Sequence, residues 1–264
     1  MSIEKNRTRI KDLAVTAAKS AGAVLKANIG RNLKIEFKGE IDIVTEMDKK
    51  AEDIIIKEIR RHFPDHAILT EESGSCNPEA STKWIIDPLD GTTNYAHGFP
   101  VFCVSVAFEE DGEVIAGAVY NPMLDELFSG EKGKGAFLNG QKIAVSKIGV
   151  INKSLLATGF PYDLRVSKQN NFDHFSNFSV KAQAIRRAGS AALDLSYTAC
   201  GRFDGFWEMK LKPWDTASAA LFVREAGGTL TDFNGNAFSI YTPECLASNS
   251  LIHAEMLSIL KKNP

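Results

Sequence analysis

Residues 84–95 read Trp84-Ile85-Ile86-Asp87-Pro88-Leu89-Asp90-Gly91-Thr92-Thr93-Asn94-Tyr95. Three apolar residues make a buried strand that ends in an acid, and α/β folds place ligand sites at the carboxyl ends of strands. Pro88 fixes its own φ and restricts the residue before it, so a stiff turn carries Asp87 and Asp90. Gly91 lets a ligand come close to the backbone. A helix beginning at Thr92 or Thr93 would aim its free N–H groups and positive dipole end at the same point, a place for a phosphate. Taken alone, Asp-Pro-x-Asp-Gly is equally well an ordinary surface turn.

Its company tips the balance. Glu71-Glu72 follow another apolar strand end, Ile68-Leu69-Thr70, and Asp215 follows Trp214 at a helix start. Separately these read as a solvated loop and a helix N-cap. Together the segments offer Glu71, Asp87, Asp90, Asp215 and the carbonyl of Leu89, all hard oxygen donors with no nitrogen or sulfur among them. Such a set suits Mg²⁺. Converging carboxylates repel by about 4 kcal/mol per pair at 4 Å and an effective dielectric near 20, so the cluster implies divalent cations.

Around this centre the chain reads as an α/β (α+β) protein. Ile10, Leu13, Ala17, Ala21, Val24 and Leu25 give residues 6–29 a helical stripe ending at Gly30. Asn32 to Phe37 alternate as a half-buried strand, and Thr45 with Asp48 caps a helix running to about His62. From 67 to 145, short apolar runs between Gly, Pro and Asp predict a mainly antiparallel sheet, with Asn139-Gly140 as a hairpin turn. From 146 onward, strands at 155–158, 203–208 and 229–231 alternate with helices at 190–200, 215–226 and 249–262. The expected organisation is one domain of two lobes, 1–145 with most of the acids and 146–264 with Asp215.

A 264-residue chain with 44% hydrophobic and 24% charged residues is an ordinary globular one, and its net charge of −2 offers no general attraction to nucleic acid or an anionic membrane. With a charged N-terminus and no long apolar run, the expected location is the cytoplasm. Cys76, Cys103, Cys200 and Cys245 lack metal or disulfide spacing and read as reduced thiols.

Four segments, Asp42-Ile43-Val44-Thr45-Glu46-Met47-Asp48, Glu71-Glu72-Ser73, Asp87 to Tyr95, and Trp214-Asp215-Thr216-Ala217, resemble in order and spacing the motifs of the inositol monophosphatase family. The resemblance runs over nearly the whole chain; Gly189-Ser190-Ala191-Ala192-Leu193-Asp194-Leu195 and Phe206-Trp207-Glu208 resemble bacterial members. It implies a layered α/β/α/β/α sandwich and hydrolysis of inositol monophosphate through in-line attack of a metal-activated water. Glu71, Asp87 and the Leu89 carbonyl would hold one Mg²⁺, Asp87, Asp90 and Asp215 a second, and Glu71 would touch a third. Asp48 and Thr92 would orient the water, with Glu71 beside them, and Asp90 and the Gly91 and Thr92 amides would face the phosphate. Glu208 and the backbone of Gly189, Ser190 and Ala191 would face polyol hydroxyls. A homodimer and inhibition by Li⁺ are also implied. Two positions depart from the family: Thr70 stands where many relatives have glycine, and Ser218-Ala219 replace a glycine-containing pair.

Several readings stay open from the residues. Lys38 matches a family lysine near the metals but equally reads as a solvated strand-end residue. His97 is a surface residue or lines the entrance, and Arg186-Arg187 bind a second phosphate, support an interface or are plainly exposed. Gly130 to Gly135 is a strand connection, lacking the phosphate-loop pattern. Rival substrates are fructose 1,6-bisphosphate, alone or with inositol phosphate, a nucleoside bisphosphate and histidinol phosphate. A rival of another class is a regulatory protein binding a partner with the same fold.

Overall fold

The structure is a computed structural model and describes residues 3–31, 34–76 and 80–261. The apolar stripe of Ile10, Leu13, Ala17, Ala21 and Leu25 forms the buried side of α1 (Ile3–Asn28). β1 (Ile35–Phe37) pairs antiparallel with β2 (Ile43–Thr45). The expected half-buried strand is here a correction, because all three residues of β1 are exposed; a two-stranded ribbon has no layer of its own to cover a face. Asn32 and Leu33 lie outside the described residues. α2 (Glu46–His62) opens with the expected capping box: Thr45 Oγ1 accepts from Met47 N at 3.1 Å, and the Asp48 carboxylate accepts from Thr45 N at 2.8 Å.

The next segment supplies β3 (Ala67–Thr70), β4 (Gly74–Cys76), β5 (Thr82–Asp90), α3 (Thr92–Ala96), β6 (Cys103–Glu110), β7 (Glu113–Asn121), β8 (Glu126–Glu131), β9 (Gly135–Leu138) and β10 (Gln141–Lys142). Its strands form one eight-stranded sheet in the order β10-β9-β8-β7-β6-β5-β3-β4. It is antiparallel throughout except for the parallel pair β3–β5. The Asn139-Gly140 turn joins β9 to β10 with both residues left-handed, as that hairpin requires.

The remainder holds β11 (Leu155–Thr158), α4 (Phe172–Ser179), β12 (Ala184–Arg186), α5 (Ala191–Ala199), β13 (Gly205–Met209), α6 (Pro213–Glu225), β14 (Thr229–Thr231), β15 (Glu244–Ser248) and α7 (His253–Leu260). A five-stranded sheet orders its strands β12-β11-β13-β15-β14. Sequence periodicity missed α4, β12 and β15. β15 has only Cys245-Leu246-Ala247 as an apolar run, and pairing with β13 and β14 on its two sides makes it a strand.

Alternation along the strands stacks five layers. Trp84, Ile86, Val104 and Val106 of the large sheet pack against α1 and α2, while Ile85, Cys103 and Ala107 face the other way, toward α5 and α6. Phe206, Cys245 and Ala247 of the small sheet meet α5 and α6 from the opposite side, and Trp207 and Leu246 turn outward to Phe178 of α4 and Met256 of α7. The order is therefore α/β/α/β/α, the fold that the resemblance implied.

The strand carrying the central motif does not stop at Asp87, as expected; β5 continues to Asp90. Asp87 pairs with Ser105 and Asp90 with Cys103, three steps on β5 against two on β6, so one residue is extra. Pro88, with no N–H for the ladder, sits in this bulge. Without it, Asp87 and Asp90 would point to opposite faces. Leu89 instead packs among the α1 and α2 residues, which returns Asp90 to the face that Ile85 and Asp87 share.

Candidate active site

Each acid at the end of β5 is tethered by one oxygen. Asp87 Oδ1 accepts from Leu89 N at 3.0 Å. Asp90 Oδ2 accepts from Ser190 Oγ at 2.6 Å and Ala192 N at 2.8 Å, which joins β5 to the first turn of α5. Asp215 is not an N-cap, a correction to its sequence reading; it lies inside α6, and its Oδ2 accepts from Lys212 N at 2.7 Å. The other oxygen of each acid is thus left for a ligand. Thr92 Oγ1 lies 2.8 Å from Asp48 Oδ1 and 3.0 Å from the Leu89 carbonyl, while Asp48 Oδ2 accepts from Thr45 Oγ1 at 2.6 Å.

Glu71 directly follows β3. Lys38, though exposed, is paired: its Nζ lies 3.2 Å from Glu71 Oε1 and 2.6 Å from Glu72 Oε1. Burial works against the Lys38 ammonium, but the two glutamates outweigh it and hold its pKa above the ordinary value. Burial, opposed by Lys38 and reinforced by Glu72 and Asp48, pushes Glu71 up to about 7. Burial and the charges of Glu71, Asp90 and Asp215 push Asp87 well above the usual carboxylate range, and Asp215 is raised by burial with Asp90 and Glu71 adding to it. The four acids therefore feel one another's charge across three chain segments. Among the described residues no three His, Cys, Asp or Glu side chains form a ready-made metal group; Glu71 is engaged by Lys38, and Asp90 by α5. The chemistry of the donors still fits a hard cation, since all are oxygens and their mutual repulsion calls for positive charge.

Beside the acids opens a cleft of about 560 Å³. It brings together Asp90, Gly91, Gly189, Ser190, Ala191, Glu208 and Asp215 of the expected residues, whereas Asp48, Glu71, Asp87, Leu89 and Thr92 lie off its lining. Gly91 has φ +97°, and a Cβ there would lie 2.9 Å from the Val101 carbonyl and 3.2 Å from that of Gly189. Only glycine lets these segments meet. Asn94 reinforces the junction, donating from Nδ2 to the carbonyls of Val101 at 2.7 Å and Ala188 at 2.8 Å. Glu208 rests against Gly159, where any Cβ would fall 2.1 Å from its Oε1. Arg187 lines the cleft with its guanidinium 4.9 Å from the Phe160 ring, Arg186 is exposed on β12, and His97 is exposed away from the lining.

Sequence reasoning missed three contributors. Glu52, buried on α2, accepts from Thr70 Oγ1 at 2.5 Å and from the amides of Glu72 and Ser73 at 3.2 and 3.4 Å, fixing the loop that carries Glu71. Its signal was available: an acid on the apolar face that Ala51 and Ile55 define. Thr70, one of the two departures, serves this clamp; Ser218, the other, accepts from Ser105 Oγ at 3.1 Å. Tyr162 and Asp194 line the cleft. Tyr162 gave no periodic signal, and Asp194 stood only inside the 189–195 stretch that resembles bacterial members, with no role of its own.

A sequence model of the inositol monophosphatase family matches residues 6–264. The chain is 40% identical over 259 residues to an inositol-1-monophosphatase of Mesorhizobium japonicum, covering 97% of each. It is 40% identical over 253 residues to a protein of Escherichia coli K12 named Nus factor SuhB, covering 95% of each. The solved inositol monophosphatase of Anabaena superposes with a TM-score of 0.91 at 43% identity, covering 98% of both chains. Among the described residues no helix is long and apolar enough to cross a membrane.

Proposed function

The chain belongs to the inositol monophosphatase family and is a metal-dependent phosphoric monoester hydrolase, and we propose that it hydrolyses inositol monophosphate to inositol and phosphate with Mg²⁺ as its ion. The observation that carries this reading is the set of four acids, Glu71, Asp87, Asp90 and Asp215, whose charges act on one another beside a cleft that also reaches Glu208.

In this reading Glu71, Asp87 and the Leu89 carbonyl would hold one ion, Asp87, Asp90 and Asp215 would hold a second, and Glu71 would reach a weaker third. When bound, the ions supply Lewis acidity to the phosphate and lower the pKa of water in the site. Thr92 commits its hydroxyl proton to Asp48 or to the Leu89 carbonyl, so its lone pairs accept from the attacking water. A proton leaving that water can pass through Thr92 Oγ1 to Asp48 Oδ1. The Gly91 and Thr92 amides bind phosphate oxygens, and Glu208 with the backbone of Gly189 to Ala191 faces the polyol. Attack is in line, without a phosphoenzyme. We divide the domain into lobes 1–145 and 146–264, and we extend the proposal to a cytoplasmic homodimer inhibited by Li⁺.

The rival substrates are less well supported because relatives that match over nearly the whole chain are named inositol monophosphatases, and a purely regulatory role of the kind suggested by the name of the Escherichia coli relative is less well supported because the acid set for catalysis is complete. A phosphate-release screen over inositol 1-phosphate and the rivals tests the proposal. Inositol 1-phosphate should be preferred, with Mg²⁺ required and Ca²⁺ a poor substitute. Undiminished turnover after exhaustive chelation contradicts the metal assignment, and a preferred rival replaces the substrate.

A further inference from the structure

Seven acids are buried among the described residues: Asp48, Glu52, Asp87, Glu109, Glu131, Asp194 and Asp204. Six have hydrogen-bond donors. Besides the contacts of Asp48, Glu52 and Asp87 given above, Glu109 accepts from the Tyr241 hydroxyl at 2.6 Å, Glu131 from Thr8 Oγ1 at 3.4 Å, and Asp204 from Leu155 N at 2.7 Å. Asp194 differs, because it is 1% exposed and its Oδ1 is buried with no hydrogen-bond partner. A buried acceptor without a donor destabilises the fold, which is unexpected of a residue kept for structure.

Position supplies the reason. Asp194 lies in the first turn of α5, the helix whose N-cap, Ser190, holds Asp90. It lines the same cleft as Glu208, and Glu208 and Asp90 are the charges that act on it. A ligand hydroxyl entering the cleft can donate the hydrogen bond that the protein withholds.

We infer that Asp194 is a specificity residue of this phosphatase, pairing with Glu208 to form a two-carboxyl subsite for the hydroxyls of a phosphorylated polyol. The inference rests on the phosphatase reading above. Burial, with Glu208 and Asp90 beside it, also pushes the Asp194 carboxyl well above the usual carboxylate range. An acid held toward its neutral form both donates and accepts, which suits a hydroxyl partner.

The test compares wild type with Asp194→Asn on inositol 1-phosphate and on 4-nitrophenyl phosphate, which has no hydroxyls, and follows thermal unfolding without substrate. The expected result is a roughly 10- to 100-fold fall in kcat/KM for inositol 1-phosphate, with the aryl ester within about 2-fold of wild type. The variant should be at least as stable as wild type, because it loses an unpartnered buried acid. Equal depression of both substrates, no change on either, or a lowered Tm or failure to fold each overturns the inference in favour of a structural role. If wild type hydrolyses the aryl ester but not inositol 1-phosphate, the substrate reading fails instead, and Asp194 is judged by the same comparison on the hydroxylated ester that wild type prefers.

Discussion

Asp90 at the end of β5 and Asp194 at the start of α5 line one cleft, with Asp87 just off its lining, yet the β5 acids and the α5 acid are held in opposite ways. Asp87, Asp90 and Asp215 each have one oxygen fixed by a backbone or side-chain donor, which sets the direction of the other. Asp194 has a buried oxygen with no donor at all. Groups that carry chemistry on every substrate gain from being fixed before the substrate arrives. Groups that choose among substrates gain from leaving a hydrogen bond to be completed by the right one, since a ligand without the hydroxyl then leaves the site unsatisfied.

The largest effect should follow from breaking the fixed region. In Asp90→Asn the amide oxygen can still accept from Ser190 and Ala192, so the junction with α5 survives while the charge is lost. Turnover should fall by at least about 10²-fold on polyol and aryl phosphates alike, as for the loss of one strong electrostatic contributor. Near-normal turnover, in a preparation free of wild type, would reduce Asp90 to a turn residue.

How much of each region was legible follows from the same contrast. The β5 acids were readable because Pro88, Gly91 and the acids lie within a few residues of one another and announce a stiff turn locally. The bulge was not, because an extra residue on β5 exists only relative to its pairing with β6. The layers could be anticipated from strand alternation, whereas β15 becomes a strand through two partners distant in sequence. The clamp of Glu52 on Thr70 and the loop after it joins residues 18 to 21 apart. Gly159 beneath Glu208 is a matter of space between two neighbouring strand ends, and periodicity does not report space.

Thr92→Ala should slow inositol 1-phosphate and 4-nitrophenyl phosphate together, because a misplaced water affects both. Glu208→Gln should cost roughly 10- to 150-fold in kcat/KM on the polyol ester and little on the aryl ester, the worth of one charge-assisted hydrogen bond. If Glu208→Gln lowers both equally, Glu208 belongs with the fixed acids.

A smaller effect separates the regions by stability. In metal-free protein, Glu71, Asp87, Asp194, Glu208 and Asp215 all have raised pKa values, burial first among the causes. As pH rises above the ordinary carboxylate range the folded state keeps protons that the unfolded state loses, so stability should fall as pH rises, and the part due to Glu71 is lost by about 7. Saturating Mg²⁺ should flatten the slope in wild type. A metal-free Tm that rises over this range would contradict the charge crowding.

If the fixed acids hold cations and the open ones do not, calorimetric titration of Mg²⁺ into metal-stripped wild type, Asp87→Asn and Glu208→Gln will separate them. Wild type and Glu208→Gln should bind alike, and Asp87→Asn at least about 10-fold more weakly, as expected when a ligand shared by two ions loses its charge. Unchanged Mg²⁺ binding by Asp87→Asn, or the same loss in Glu208→Gln, would contradict the division of the cleft into a metal-holding and a substrate-choosing half.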